Sequence, residues 1–183
     1  MTNELSTIPE GLDLIPTDDG AIVRRVWRSW MVVPLAVFAI VWDAFLLFTY
    51  SQTLAKPNAS LLMILFPIGH VAVGIGLTYF VVASLVNKTD IVVSPAGVIV
   101  RSGPAPWVGN KSVRAEEITD VMVRERIGSR NSRTFNVMYA DRAHKECKLV
   151  TWLIQRDQAE FIARVIQHTF KVPQTMPGDL TTH

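Results

Sequence analysis

The chain has 183 residues, of which 49% are hydrophobic and 19% are charged, and its net charge is +2. This apolar content excludes a disordered chain, and the low fraction of charged residues is closer to that of a membrane protein than to that of a soluble domain. One cysteine excludes an internal disulfide and a multi-cysteine zinc site, and the small net charge gives no support for nucleic-acid binding.

Residues 1–28 are expected to form a cytoplasmic N-terminal segment that contains a short β-hairpin. An Asp-Gly pair at 19–20 favours a turn between strands at 12–15 and 21–26. The alternative is an interfacial helix from Ala21 with arginines on one face, and we prefer the hairpin. The segment lacks the basic start and apolar stretch of a signal peptide.

Residues 29–87 are predicted to form a transmembrane hairpin with spans at about 30–50 and 61–86. Each apolar run is long enough to cross a hydrocarbon core of roughly 30 Å. Trp27, Trp30 and Tyr50 lie near the ends of the first run, where amphipathic rings favour the membrane interface. The connection between the two runs predicts a tight hairpin.

The charges that flank the two spans predict the orientation of the chain. Arg24, Arg25 and Arg28 precede the first span and Lys88 follows the second, whereas the connecting loop carries only Lys56. The positive-inside rule then places both termini in the cytoplasm. We therefore expect a protein of the bacterial inner (cytoplasmic) membrane.

Residues 88–172 have the pattern of a small cytoplasmic β domain closed by a helix. Runs rich in β-branched residues, separated by turn signals, predict strands at 90–94, 98–101, 112–115, 118–126, 134–139 and 146–151. A helix capped by Asp157 and Glu160 follows, with apolar residues on one stripe. Residues 173–183 are predicted to be a disordered tail. The fold class is thus α+β: a two-helix transmembrane hairpin, then a small β barrel or sandwich capped by a C-terminal helix.

One loop motif carries a resemblance to a known group of proteins. The sequence Gly-Pro-Ala-Pro-Trp-Val-Gly-Asn at 103–110 follows two spans and the run Asn-Lys-Thr-Asp-Ile-Val-Val-Ser-Pro-Ala-Gly. Together with Trp42-Asp43, His70 and Gly74, this resembles uncharacterised bacterial two-span membrane proteins with a C-terminal PH-like β domain. The resemblance implies a PH-like barrel or sandwich over roughly residues 20–170, and it implies no enzymatic activity.

Asp43 and His70 are the polar residues of the spans that could carry chemistry. Counted from Arg28 and back from Asn87, they lie about 22 and 25 Å along their helices, so we expect a contact between them. A buried hydrogen bond that fixes the helix register is one interpretation. A proton relay with partner subunits is another. Ligation by His70 of a haem or chlorophyll shared with a partner is the third, with Asp43 orienting the imidazole.

Small residues on the second span predict close helix packing. Ala72 with Gly76, and Gly74 with Thr78, have small-xxx-small spacing, and together with Gly69 they allow the backbone of another helix to approach closely. These residues are Gly69, Ala72, Gly74, Gly76 and Thr78.

Four arginines cluster around the predicted turn at 128–132 and could contact anionic lipid or a partner. They are Arg124, Arg126, Arg130 and Arg133. A membrane-tethered domain could lay this turn on headgroups, and the alternative is a solvated turn. Trp107 is expected either to fill the β domain or to contact a partner.

The function expected from these patterns is that of a non-enzymatic accessory subunit of a larger membrane complex, such as a respiratory or photosynthetic assembly. The hairpin would pack on integral membrane subunits and the β domain would clamp them on the cytoplasmic side. Cys147 and His144 do not form a recognisable nucleophile pair, so we expect no catalytic residues, no metal site and no cofactor of the chain's own. The alternatives are a membrane-surface module that binds anionic lipid or a cytoplasmic peptide, and cofactor ligation by His70.

Overall fold

The computed structural model describes residues 7–27, 30–55, 61–129 and 132–170. The predictions about the tail at 173–183 and about Arg28, Lys56 and Arg130 lie outside these ranges. The chain divides into two compact units. Among the described residues, those at 27–87 and 104–106 form the helical hairpin, and the others form the β domain.

Two long helices form the helical hairpin, and both could cross a membrane by length and composition. Helix α1 is Val32–Leu54 and helix α2 is Leu61–Val86. Only 17% and 22% of their apolar segments, Val32–Thr53 and Ile68–Val86, are buried within the chain. The core helix of a soluble protein would be mostly buried. Helix α1 begins two residues after the predicted span and continues into the predicted connection.

Within the described residues, the β domain contains eight strands, a short 3-10 helix at Ala115–Glu117 and one α-helix. The strands are β1 Leu12–Thr17, β2 Gly20–Val26, β3 Lys88–Ser94, β4 Gly97–Gly103, β5 Lys111–Arg114, β6 Asp120–Ile127, β7 Arg133–Ala140 and β8 Glu146–Leu153. Helix α3 is Arg156–Phe170. All strand pairs are antiparallel, in one sheet of order β1-β2-β3-β4-β5 and another of order β6-β7-β8. The chain is therefore α+β, as its sequence pattern predicts.

The N-terminal hairpin belongs to the larger sheet, which differs from the predicted division of the chain. Strand β2 pairs with β3 from Ala21 opposite Val93 to Val26 opposite Lys88, which is all of β2 except its first residue. The whole helical hairpin is therefore the connection between two neighbouring strands. The predicted boundaries at 28 and 88 separate segments that fold together, because strand pairing across that distance leaves no local sequence signal.

Alternating apolar residues of both sheets and one stripe of α3 form a single core in the β domain. In β3, Thr89, Ile91 and Val93 are buried while the residues between them are partly or fully exposed. The predicted stripe of α3 holds, with Phe161 and Ile166 fully buried. The predicted capping box does not form, because α3 begins at Arg156 and the carboxylate of Glu160 pairs with that arginine.

The turn between β1 and β2 requires glycine because of a close approach between strands. A Cβ added to Gly20 would collide with the carbonyl oxygen of Val93 on β3. The Asp-Gly signal thus located the turn, but tertiary crowding is the constraint that demands glycine here.

Candidate functional site

A polar contact between the two helices lies at Asp43. The hydroxyl of Thr78 donates to Oδ2 of Asp43 at 2.6 Å. Gly74, one turn before Thr78 on α2, leaves the space that the Asp43 side chain occupies, because a Cβ there would lie 2.7 Å from Oδ1. A carboxylate in an apolar helix is costly unless it finds a partner. Sequence reasoning assigned Gly74 and Thr78 to packing only, and the structure makes them the surroundings of Asp43.

The depth at which Asp43 meets α2 follows from where α1 begins. Asp43 comes eleven residues after the first residue of α1, Val32, and Gly74 comes twelve before the last of α2, Val86. The sequence prediction starts the helix at Arg28, whereas α1 begins one turn later at Val32. It therefore places Asp43 at about the depth of His70. His70 lies about 6 Å further along α2 than Gly74. A direct Asp43–His70 contact therefore stays a prediction.

His70 stacks on an aromatic side chain of α1. Its ring centroid lies 5.9 Å from that of Trp42, with an interplanar angle of 29°. The indole Nε1 donates to the carbonyl of His70 at 3.4 Å, and the ring of Phe38 also stacks with Trp42, at a centroid distance of 5.7 Å. The aromatic contact orients the imidazole between the helices. Axial ligation by His70 of haem or of chlorophyll magnesium stays a prediction.

The small residues of α2 divide into an inner and an outer face. Gly74 is buried and faces α1, with Leu46 and Trp42 within 3.3 Å of an added Cβ. No described atom lies within 4 Å of a Cβ added to Gly69 or Gly76, and Ala72 is exposed. The spacing of 69, 72 and 76 places these three on one side of the helix. Helix α1 therefore uses one small-residue face and leaves the outer face uncovered.

The end of α2 holds the Gly-Pro-Ala-Pro loop through one buried amide. Asn87 is 1% exposed. Its Nδ2 donates to the carbonyl of Ala105 at 3.1 Å, and its Oδ1 accepts from the Ala105 N–H at 2.8 Å. The hydroxyl of Tyr79 donates to the carbonyl of Pro106. Part of the motif at 103–110, which carries the resemblance, is therefore held against α2 by hydrogen bonds.

The aromatic anchors differ in exposure. Trp30 is 80% exposed just before α1, whereas Trp27 and Tyr50 are partly buried. The backbone N–H of Trp27 donates to the carbonyl of Asn87 at 3.4 Å, which joins the two ends of the helical hairpin. Trp107 is also partly buried, and whether it contacts a partner stays a prediction.

Two of the arginines near the β6–β7 turn, Arg124 and Arg133, pair with carboxylates. Arg124 pairs with Glu146, and this hydrogen bond raises the pKa of Arg124 and lowers the pKa of Glu146. Arg133 lies 3.5 Å from Glu125. Within the described ranges no carboxylate pairs with Arg126, whose guanidinium lies 5.6 Å from the ring centroid of Trp152. The turn is therefore less basic than the sequence suggests.

Trp152 is a surface residue that sequence reasoning did not single out. It is 64% exposed and has a φ of +64°, which is unusual for a bulky side chain. Its neighbour Leu153 is fully buried. The predicted strand ends at Thr151, whereas β8 continues through Trp152 to the buried Leu153. The apolar pair Trp152-Leu153 is the sequence signal that could have extended the predicted strand.

A shallow groove of about 600 Å³ on the β domain is lined mainly by polar and basic side chains. Lys88, Arg101 and Lys111 contribute positive charge. Asp90 also lines it, but Arg24 donates to both carboxylate oxygens, at 2.7 and 2.9 Å. That hydrogen bonding lowers the pKa of Asp90 and raises the pKa of Arg24. The groove is therefore positively charged at neutral pH.

No protein-family model matches the chain, and no curated protein is significantly similar to it. In the part of the chain that the structure describes, no three or more histidine, cysteine or acidic residues converge as metal ligands would. The resemblance to two-span proteins with a PH-like domain stays an expectation.

Proposed function

We propose that the chain is a non-enzymatic accessory subunit of a larger membrane complex. In this proposal the helical hairpin spans the bacterial inner membrane and packs on helices of partner subunits. The β domain, with a PH-like arrangement, clamps the partners on the cytoplasmic side. A respiratory or photosynthetic assembly is a suitable host, since such assemblies contain small helical subunits.

The observation that carries this proposal is the uncovered outer face of α2 at Gly69, Ala72 and Gly76. Inside the helical hairpin, Gly74 lets Asp43, Trp42 and Leu46 approach the α2 backbone. The outer face offers the same flat surface with no described atom near its glycines. Between membrane helices, close backbone approach is a main source of attraction, because lipid gives no hydrophobic gain for helix contact. A helix of a partner subunit is the occupant that gains most from this face.

The small core of the helical hairpin supports the same proposal. Its buried apolar cluster consists of Val32, Ala39 and Val81. Large apolar side chains on both helices, such as Ile40 and Ile75, are more than two-thirds exposed. These surfaces need lipid or partner helices around them.

The test changes the outer face while leaving the inner face intact. The tagged chain is extracted from its native membrane in mild detergent, and the mass and composition of the eluted species are determined. We expect wild type in a large stoichiometric assembly and the double variant Gly69→Leu/Gly76→Leu outside it. The matched control Ile40→Leu/Val41→Leu alters exposed positions of α1 and should remain assembled.

Either of two results would contradict the proposal. Wild type could elute as a lone chain or a homodimer, or the double variant could remain in the assembly with unchanged stoichiometry. The same preparation tests His70: a visible absorbance band that disappears in His70→Ala would support a shared haem or chlorophyll, and a colourless assembly would exclude it.

A further inference from the structure

The end of the β6-β7-β8 sheet at which β6 and β8 finish presents apolar side chains to solvent. Strands β6 and β8 both pair antiparallel with β7, so their last residues lie at the same end of the sheet. Ile127 ends β6 and is 66% exposed, and Trp152 lies near the end of β8. Ile154, directly after β8, is 69% exposed. We call Ile127, Trp152, Ile154 and Arg126 the tip patch.

A bulge in β8 directs Trp152 outward. Phe135 pairs with Leu153 and Val137 pairs with Val150, so Thr151 and Trp152 together face Asn136. Such a bulge re-aims a side chain. It lets Val150 and Leu153 both enter the core although three positions separate them. The backbone of Trp152 accommodates the extra residue of the bulge by adopting a φ of +64°.

Two hydrogen bonds hold this strained backbone in place. The N–H of Trp152 donates to Oδ1 of Asn136 at 3.2 Å, and its carbonyl accepts from the guanidinium of Arg25 at 3.1 Å. A non-glycine residue in this region of φ is strained and persists only where its surroundings impose it. The domain therefore maintains the exposure of the indole against a conformational cost.

The chemistry of the tip patch fits one kind of occupant. Arg126 lies over the indole and lacks a carboxylate partner among the described residues, so the patch combines an aromatic ring, isoleucines and positive charge. Tryptophan prefers the membrane interface, and cations there are attracted to anionic headgroups. These side chains stand out from a strand end and do not line the groove at Lys88 and Arg101, so a flat surface suits them better than an inserted peptide.

We propose that the tip patch docks the β domain onto the anionic surface of the membrane that the helical hairpin spans. Trp152, Ile127 and Ile154 enter the interfacial region and Arg126 approaches lipid phosphates. The inference rests on the part of the proposed function in which the helical hairpin is embedded in a bilayer.

The test reads lipid proximity at the tip in the full chain. Ser129, exposed between β6 and β7, is changed to cysteine in a Cys147→Ser background and labelled with an environment-sensitive fluorophore. The protein is reconstituted in nanodiscs of phosphatidylcholine with phosphatidylglycerol, with a shallow spin-labelled lipid as quencher. A label at Ala143→Cys, in the β7–β8 turn at the opposite end of the sheet, is the matched position.

We expect quenching at position 129 and none at 143, with less quenching at 129 when the nanodiscs contain phosphatidylcholine alone. Trp152→Ala and, separately, Ile127→Ser should reduce the quenching. Val108→Ser should not, because Val108 is equally a surface residue of the β domain at 86% exposure but lies outside the tip patch. Ile127 is at the surface, so its replacement leaves the core intact.

Several results would overturn the inference. Equal solvent exposure of the labels at 129 and 143, or equal quenching in both lipid compositions, would exclude anionic lipid as the occupant. Shielding of position 129 in native membranes but not in nanodiscs would assign the patch to a protein. A chain that does not float with the nanodiscs at all would instead contradict the proposed function, which keeps the two failures distinct.

Discussion

The helical hairpin and the β domain bury their apolar residues in opposite ways. The β domain encloses a core to which both sheets and α3 contribute, and residues such as Val23, Val137 and Phe161 are fully buried there. Among its described residues, the helical hairpin has a small buried cluster of Val32, Ala39 and Val81, and most of the large apolar side chains described there are exposed. The β domain therefore carries its own apolar interior, whereas the helical hairpin depends on its surroundings for one.

The contrast is sharpest for two phenylalanines. Replacing the fully buried Phe161 with alanine should destabilise the β domain by about 3–5 kcal/mol, since it removes apolar contacts and leaves a cavity. Phe38→Ala on α1, at 52% exposure, should leave β-domain stability unchanged. Denaturant titration of the full chain in detergent, followed by pulse proteolysis, measures both. Similar losses in the two variants would contradict the comparison.

Removing the hydrogen bonds between Asn87 and Ala105 should have the next largest effect on stability. Asn87→Ala leaves the N–H and carbonyl of the partly buried Ala105 without their side-chain partner, at a cost of about 1–3 kcal/mol. We expect faster proteolytic cleavage in the 104–110 loop. Asn110→Ala is the control: this exposed residue loses a single bond from the Ser102 N–H, so its cleavage rate should change less.

Removing the Asp43 partner should destabilise the helical hairpin by a smaller amount. Thr78→Val leaves the Asp43 carboxylate without its hydroxyl donor, and hydrogen bonds between membrane helices contribute about 0.6–2 kcal/mol. Thr53→Val is matched, because the hydrogen bond of the Thr53 hydroxyl among the described residues is to the carbonyl of Thr49 in its own helix. Energy transfer between labels on α1 and α2 during denaturation would report the difference. Equal midpoints for both variants would show that the contact adds no stability.

The smallest effect concerns acid stability of the β domain. The pKa of Asp90 is lowered in the folded state, chiefly by the hydrogen bond from Arg24. Its contribution is therefore present above the unfolded pKa of about 3.9 and is lost as the pH falls through the lower folded value. Wild type should lose stability more steeply than Asp90→Asn below about pH 4. The difference should be small, since 34% of each side chain is exposed to solvent screening.

Local patterns predicted the elements well and the long-range relations poorly. Alternation in segments such as Ile91–Val93 and the stripe of α3 located strands and helix, because burial imposes those periods. The pairing of β2 with β3 was not predicted, since strand partners distant in sequence share no local signal. The ion pairs of Glu125 and Glu146 with arginines depend on strand register, which the sequence leaves open.

In the candidate site, residue types were predictable but their partners were not. Asp43 stands out in any apolar span, and Gly74 suggests close packing. That they meet, with Thr78, depends on the residue at which α1 begins, and an error of four residues moves the contact by one turn. The exposure of Trp152 could not be predicted, because it results from a bulge that only the pairing of β7 with β8 creates.

In the proposed arrangement, in which the helical hairpin spans a membrane, the pairing of β2 with β3 also restricts the topology without reference to charge. Adjacent strands of one sheet must lie in one compartment, so the segment that joins Val26 to Lys88 must return to the side from which it left. Only an even number of crossings satisfies this condition, and a chain that lost one span could not complete its sheet. In that arrangement the sheet is completed only after both helices have been inserted and β3 has been made, so compartment reporters placed before β1 and after α3 should give the same result.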